Sequence, residues 1–359
     1  NSYIWAHGLA LVNYYGDDIS ISTTTGNITS LGDATVSAAI SGEAMGWVVQ
    51  NTAINSYSSI TTDGGAISLS GTSGNTGDDF SMGLRANNAV NSLIIGDANT
   101  GDITLKFGTL QTNAVATTAV TVLGGAGALI LEPYGADWAT NLSIPDEYTV
   151  RSTITSLRIG KSTNTKTVTS DIAFSVAGAA SIYGSAITLN QNLASTASGN
   201  ISLYTNSLSI AASKTISSAG NLIIEPQTNG TSIGLAGGTG TLAITADYFA
   251  NKFTDGFSEI RIGNSAAGTI THGASLTLND PLQLITAGNL ALNENIILGA
   301  NDFIFSGTSI IPATGKYIRS NGTGKLKMTL ANSASKTFPI GTSYYNPVTI
   351  TNITGSSDE

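Results

Sequence analysis

Cysteine is absent from the 359 residues, which excludes disulfides, thiolate metal sites and cysteine nucleophiles together. Its absence suits a chain exported unfolded, with no wrong disulfide to form in an oxidising space. Charge is scarce too: Asp, Glu, Lys and Arg make up only 10%, against roughly 25% in soluble globular domains. The only imidazoles are His7 and His272, neither at metal-ligand spacing, and each reads as polar surface. No run of 18 apolar residues occurs, so no spanning helix and no direct membrane span are expected. The opening Asn1-Ser-Tyr-Ile-Trp has no initiator Met, basic n-region or apolar h-region, so any signal peptide is expected to have been removed. Helix signals are nearly missing: no long window places apolar residues at i, i+3, i+4 and i+7, and Glu, Lys, Arg and Gln are few.

What is there is β-former and turn. Hydrophobic residues reach 41%, enough to fill a core and to argue against disorder, and 41 glycines sit among abundant Ser, Thr, Asn and Ala. A compact globule with so few charges would need another source of solubility. A solenoid has one, because Ser, Thr and Asn can occupy its outward strand positions. The net charge of −9 is uneven. Asp17, Asp18, Asp33, Glu43, Asp63, Asp78 and Asp79 all precede Arg85, the first basic residue. Lys316, Arg319, Lys325, Lys327 and Lys336 form a mildly basic segment that reads as a solvated strand face. The acidic balance argues against nucleic acid as a partner.

One phrase keeps returning: a Gly, a small polar residue, then four or five β-formers. It appears as Gly65-Ala-Ile-Ser-Leu-Ser, Gly101-Asp-Ile-Thr-Leu, Gly127-Ala-Leu-Ile-Leu, Gly199-Asn-Ile-Ser-Leu, Gly220-Asn-Leu-Ile-Ile and Gly288-Asn-Leu-Ala-Leu. Gly199, Gly220 and Gly240, and again Gly268 and Gly288, recur at a step of about 20 residues. Such a step is one coil of a parallel β-helix. Held throughout, it would give some 17 coils, with Ile, Leu, Val and Ala in inward ladders. The glycines would serve corners of positive φ or close backbone approach.

A longer period overlies the first. Leu131-Glu-Pro recurs as Ile224-Glu-Pro, Leu157-Arg-Ile-Gly as Ile260-Arg-Ile-Gly, with Leu93-Ile-Ile-Gly a weaker third copy. Ala186-Ile-Thr-Leu-Asn-Gln-Asn-Leu recurs as Ser275-Leu-Thr-Leu-Asn-Asp-Pro-Leu. Ser198-Gly-Asn-Ile-Ser-Leu recurs as Ala287-Gly-Asn-Leu-Ala-Leu at the same offset. These matches predict a super-repeat of about 90 residues, about 127–219 and 220–305, inside a solenoid of 61–305. An irregular or capping start over 1–60 and terminal coils over 306–359, leading to a further β-module, complete the expected organisation. Trp5, Trp47, Trp138 and Tyr14-Tyr15 would pack a loop or cap an end, or else form a carbohydrate-stacking platform.

The Gly-Asn-Ile-Ser-Leu and Gly-Asn-Leu-Ala-Leu phrases, with Asp255-Gly-Phe-Ser-Glu-Ile-Arg-Ile-Gly and Ala267-Gly-Thr-Ile-Thr, resemble filamentous-haemagglutinin-type β-solenoid adhesins. The likeness spans about residues 60–300 and implies a right-handed helix in a large exported bacterial surface protein. Gly324-Lys-Leu-Lys-Met-Thr-Leu and Thr337-Phe-Pro-Ile-Gly-Thr-Ser-Tyr-Tyr-Asn-Pro-Val-Thr-Ile-Thr-Asn resemble a segment of large Bacteroidota surface proteins, often exported by the type IX route. That likeness implies a piece of a longer protein and a role in adhesion, surface layers or gliding.

Parallel β-helices also carry polysaccharide-degrading enzymes, whose sites need clustered carboxylates, often with Ca²⁺. Asp17-Asp18 and Asp78-Asp79 are adjacent pairs, and adjacent strand residues face opposite ways. A carboxylate group assembled from several coils is invisible to this reading. Gly230-Thr-Ser-Ile-Gly matches the nucleophile-elbow pattern but lacks its strand-to-helix setting. Gly124-Gly-Ala-Gly-Ala-Leu and Gly237-Gly-Thr-Gly-Thr-Leu are similar to a Ca²⁺-binding nonapeptide, with Leu129 and Leu242 where its Asp should stand. Thr23-Thr24-Thr25 and scattered Ile-Thr pairs are too irregular for an ice-binding ladder.

The expectation is an all-β, right-handed parallel β-helix with a short β-rich C-terminal module, serving as a non-catalytic adhesive shaft, secreted or at the outer-membrane-associated cell surface. No catalytic, cofactor-binding or metal residue is assigned, no cofactor is expected, and ligand residues stay unassigned. Expected partners are a host, substratum or neighbouring-cell surface, glycans among them, and the secretion machinery during export. The alternatives are a carbohydrate-binding or polysaccharide-degrading β-helix, and filaments made by end-to-end stacking of uncapped coils.

Overall fold

The computed structural model describes residues 6–13, 19–23, 26–34, 44–51, 57–73, 80–86, 92–111, 120–330 and 334–351. The chain is a parallel β-helix dividing into two compact units: 1–184 with 188–193, and 185–187 with 194–359. In the second unit the strands Ile270–His272, Leu276–Thr277 and Leu282–Ile285 follow one another around a coil. Each pairs in parallel with its counterpart one coil on, Ile270 with Leu290, Leu276 with Ile296 and Leu282 with Phe303. Three strands per coil thus build three sheets around one core.

Alternation decides which side chains enter that core. Strand residues face opposite ways in turn, so a period-2 pattern puts one row inside. In the first unit the inward ladder runs Ile67, Ile103, Leu129, Leu157 and Ala180, with Leu69, Leu105, Leu131, Ile159 and Ile182 beside it. In the second it runs Ile201, Leu222, Ile260, Leu282, Phe303 and Leu326. All of these residues are buried.

The expected step of about 20 residues holds only in part of the chain. Groups bonded from one coil to the next lie 21 positions apart at Asn200 and Asn221, and 22 apart at Arg261 and Gln283. The same kind of link spans 39 positions at Asn27 and Ala66, and 38 at Thr62 and Thr100, in coils whose strands are longer, such as Ile28–Ala34, Ala44–Asn51 and Tyr57–Thr62. Among the described residues each unit therefore carries six strands of the 12-stranded sheet, fewer than a uniform short step would make. A further long step takes the chain from Leu222 to Ile260, and there the Asn264 amide reaches back 38 positions to the Pro226 carbonyl. This step holds two parallel strands, Ile233–Leu235 and Leu242–Ile244, and one turn of π-helix, Tyr248–Lys252.

The polar residue of the recurrent phrase has a structural task. Asn27, Asp102, Asn200 and Asp302 each stand just before a strand of a long sheet. Each side-chain oxygen accepts a hydrogen bond from a main-chain N–H one coil on, at Ala66, Ala128, Asn221 and Lys325, over 2.8–2.9 Å. These bonds satisfy corner amides that strand pairing leaves free. In the three copies of the longer phrase Gly96, Gly160 and Gly263 stand at the strand end with φ of 77°, 78° and 91°, although the strand before Gly96 belongs to a different sheet from the other two. A Cβ on Gly263 would also collide with the Ile285 carbonyl of the next coil.

The matched phrases do not all share a sheet. Gly288-Asn-Leu-Ala-Leu lies on Leu290–Leu292, whose sheet differs from that of Ile201–Tyr204, where Gly199-Asn-Ile-Ser-Leu lies. Gly-Asn marks a corner rather than one particular side of the coil. Near residue 335 the parallel rule breaks: Ser335–Phe338 pairs antiparallel with Val348–Thr351.

Candidate functional site

A sugar-handling β-helix needs carboxylates and aromatics grouped on one lateral face, so the outward rows of the long sheets are the first place to look. In the first unit one row reads Ser68, Thr104, Ile130, Arg158 and Ser181, with Lys106 opposite Glu132 in the next row. Glu132 is gripped from both sides: Lys106 Nζ lies 3.0 Å and Arg158 Nη2 2.8 Å from its two oxygens. Partial burial works to raise its pKa, and the two cations more than offset that, leaving it below the ordinary value. A carboxylate held in this way is a poor proton-transfer group at neutral pH.

In the second unit the row reads Ser202, Ile223, Arg261, Gln283, Ile304 and Lys327. Arg261 bridges Glu259 at 3.3 Å and donates to Gln283 at 3.0 Å. Burial raises the pKa of Glu225, against hydrogen bonding from Asn264 and the charge of Arg261. Glu259 stands opposite Asn221, at the other end of the strand from Glu225, so roughly 13 Å of strand separates the two acids. Arg261, which bridges Glu259 and acts on Glu225, stands between them.

One carboxyl pair does form, where no linear motif marks it. The π-helical turn is an insertion that docks on the coil before it. Tyr248 Oη donates to the Leu208 carbonyl over 2.8 Å, and the buried Lys252 Nζ donates to the Ala211 carbonyl over 2.8 Å. Phe253 stacks edge-on against both Tyr248 and Phe249. The chain then turns through Asp255 and Gly256, and the Gly256 N–H donates to Asp280 Oδ1 over 2.8 Å. Asp280 is 7% exposed. Burial raises its pKa, and the neighbouring Asp255 carboxyl, within hydrogen-bonding reach, adds to that against the backbone donors. The cleft beside them, lined by Phe249, Phe253, Ile260 and Leu278 among others, holds only about 10 Å³, room for about one water.

The singled-out residues fall in several places. Asp17-Asp18, Asp78-Asp79, Trp5 and Tyr14-Tyr15 lie outside the described residues, and the side chains of His7 and Trp47 are likewise not described. Trp138 is buried and stacks on Phe107 with centroids 6.2 Å apart, so it packs a loop and offers no sugar platform. His272, read from sequence as polar surface, is fully buried instead. It is one of the two inward residues of Ile270–His272, between Leu235 and Leu292 in the ladder. Neither ring nitrogen makes a well-formed hydrogen bond, and burial depresses its pKa to about 4, against the nearby Glu294 backbone and carboxylate. The Ser232 hydroxyl of Gly230-Thr-Ser-Ile-Gly accepts from the Thr241 N–H, and the segment leads into strand, not helix. Leu129 and Leu242 are core residues. Among the described residues no group of three or more His, Asp or Glu could hold a metal, and no helix is long and apolar enough to cross a membrane.

No protein-family model, curated protein or solved structure matches the chain. The residues and their geometry therefore carry the functional argument.

Proposed function

We propose that the chain is a non-catalytic structural and adhesive shaft of a large bacterial surface protein of the filamentous-haemagglutinin type. It is secreted or held at the cell surface, with a Bacteroidota origin and type IX export favoured by the likeness of residues 324–352. The observation that supports it is the outward face. Its sheltered carboxylate Glu132 is neutralised on both sides, and the positions around it are mainly Ser, Thr, Ile and cation-paired residues. Such a face adheres weakly and broadly, and its main-chain ladder supplies stiffness. Its partners on this reading are a host, substratum or neighbouring-cell surface, with glycans among the ligands. Binding of the immobilised chain to bacterial and epithelial cell surfaces and to a glycan array tests this. Capture without sugar release supports the shaft, and reducing-end release from any polysaccharide overturns it.

A second reading, a carbohydrate-cleaving β-helix, rests on the Asp255–Asp280 pair. Asp280→Asn separates the two. Loss of a measurable polysaccharide-degrading activity would establish the enzyme, whereas a structural pair predicts that the variant is at least as stable as wild type at neutral pH. The sign follows from the raised pKa: the stabilisation is full below the unfolded value of 3.8 and is lost as pH rises through the folded value. Urea unfolding of both proteins against pH reads it.

A further inference from the structure

Asn-Gly occurs twice in the chain, as Thr228-Asn-Gly-Thr and as Ser320-Asn-Gly-Thr. An asparagine before glycine is prone to lose its side-chain amide, because no Cβ hinders attack by the next main-chain nitrogen. The two settings are nearly identical in sequence, and both asparagines are exposed. Local chemistry alone would give them one rate, but their corners are built differently. At Asn229 the attacking nitrogen is tied down, since the Gly230 N–H donates to the Ala266 carbonyl over 2.7 Å. The Asn229 side chain has no hydrogen-bond partner among the described residues.

At Asn321 both conditions are reversed. The Gly322 N–H has no hydrogen-bond partner among the described residues. The Asn321 carboxamide oxygen accepts from the Gly299 N–H of the preceding coil over 3.1 Å. That donor draws electrons from Cγ and stabilises the negative charge that builds on the oxygen when Cγ is attacked. Packing fixes both residues: Asn321 supplies the acceptor for a corner amide, and a Cβ on Gly322 would collide with the Gly299 carbonyl. We propose that Asn321 is a site of spontaneous deamidation built into this corner, while Asn229 is protected. The Gly322 nitrogen bonds to Cγ of Asn321, the Cγ–Nδ2 bond breaks, and ammonia leaves with the proton of the Gly322 N–H. Water then opens the cyclic imide at either carbonyl, giving an aspartate or its isoaspartyl isomer. The isoaspartyl link adds a main-chain atom to a corner where the Gly324 N–H also holds the Gly299 carbonyl, over 3.0 Å, so that product loosens the coil. The inference goes beyond the shaft reading and does not depend on what the shaft binds.

Incubating the whole chain in mildly alkaline buffer, with and without urea, tests it. Peptide mapping by mass spectrometry reads conversion at each asparagine and separates the aspartyl from the isoaspartyl product. In the folded chain Asn321 should convert at least about tenfold faster than Asn229. Unfolding in urea should bring the two rates together, because the flanking residues are nearly the same. Equal conversion at both positions in the folded chain, or faster conversion at Asn229, would overturn the proposal. So would an Asn321 that stays intact while the urea-unfolded chain converts, or a gap between the two positions that persists undiminished in urea.

Discussion

His272 is a costly residue in the described core. Its ring sits between leucines without a well-formed hydrogen bond, so charging it in place is disfavoured and even the neutral form is poorly satisfied. The depressed pKa has a definite sign. Above the unfolded value of 6.5 both states are neutral; between 6.5 and about 4 only the unfolded chain takes up a proton, and stability falls as pH falls across that window. The loss is on the order of 3 kcal/mol. His272→Leu should abolish this acid-side decline and raise stability at neutral pH, as read by urea midpoints from pH 4 to 7. Asn200 tests the corner bonds. Asn200→Ala removes the acceptor for the Asn221 N–H and should cost about 1 kcal/mol, while Asn200→Asp should cost less.

At the scale of the element, the corner glycines differ in kind. Gly263 combines a φ of 91° with direct contact to the Ile285 carbonyl, whereas Gly230, at φ 75°, has open space where a Cβ would stand. Gly263→Ala should therefore destabilise well beyond Gly230→Ala, whose cost is the backbone strain of about 1 kcal/mol alone; thermal melts of the two variants check the order. The same comparison explains what was legible in the recurrent phrase. A Gly followed by Asn or Asp and an alternating apolar run identifies a corner and a strand wherever it occurs, because both requirements are local. Which side of the coil the strand occupies is not local, and the Gly199 and Gly288 phrases land on different sheets for that reason.

For the whole molecule, stability is a sum over rungs and their interfaces, since each coil touches chiefly its neighbours. Leu284 lies fully buried between Ile262 and Phe305. Leu284→Ala should cost about 2–5 kcal/mol, and hydrogen exchange should show lost protection concentrated in the rungs carrying Glu259–Gly263, Leu282–Ile285 and Phe303–Ser306. Protection lost evenly along the chain would contradict nearest-neighbour stacking.

Composition, period-2 alternation and the recurrent phrase were sufficient to determine an all-β parallel β-helix with inward ladders of mainly Ile, Leu, Val and Ala. Each depends on interactions between near neighbours in the chain or on a repeat that the chain states openly. Tertiary structure alone decided the rest. It buried His272, because the inward row of so short a strand is set by the neighbouring coils. It closed Glu132 between Lys106 on the coil before and Arg158 on the coil after. It brought Asp255 to Asp280 across an insertion whose length no period announces. Stacking turns sequence separation into contact only after each loop length is spent. The coil at Asn200 and Asn221 takes 21 positions and the one at Asn27 and Ala66 takes 39, a difference that follows no rule the linear chain displays.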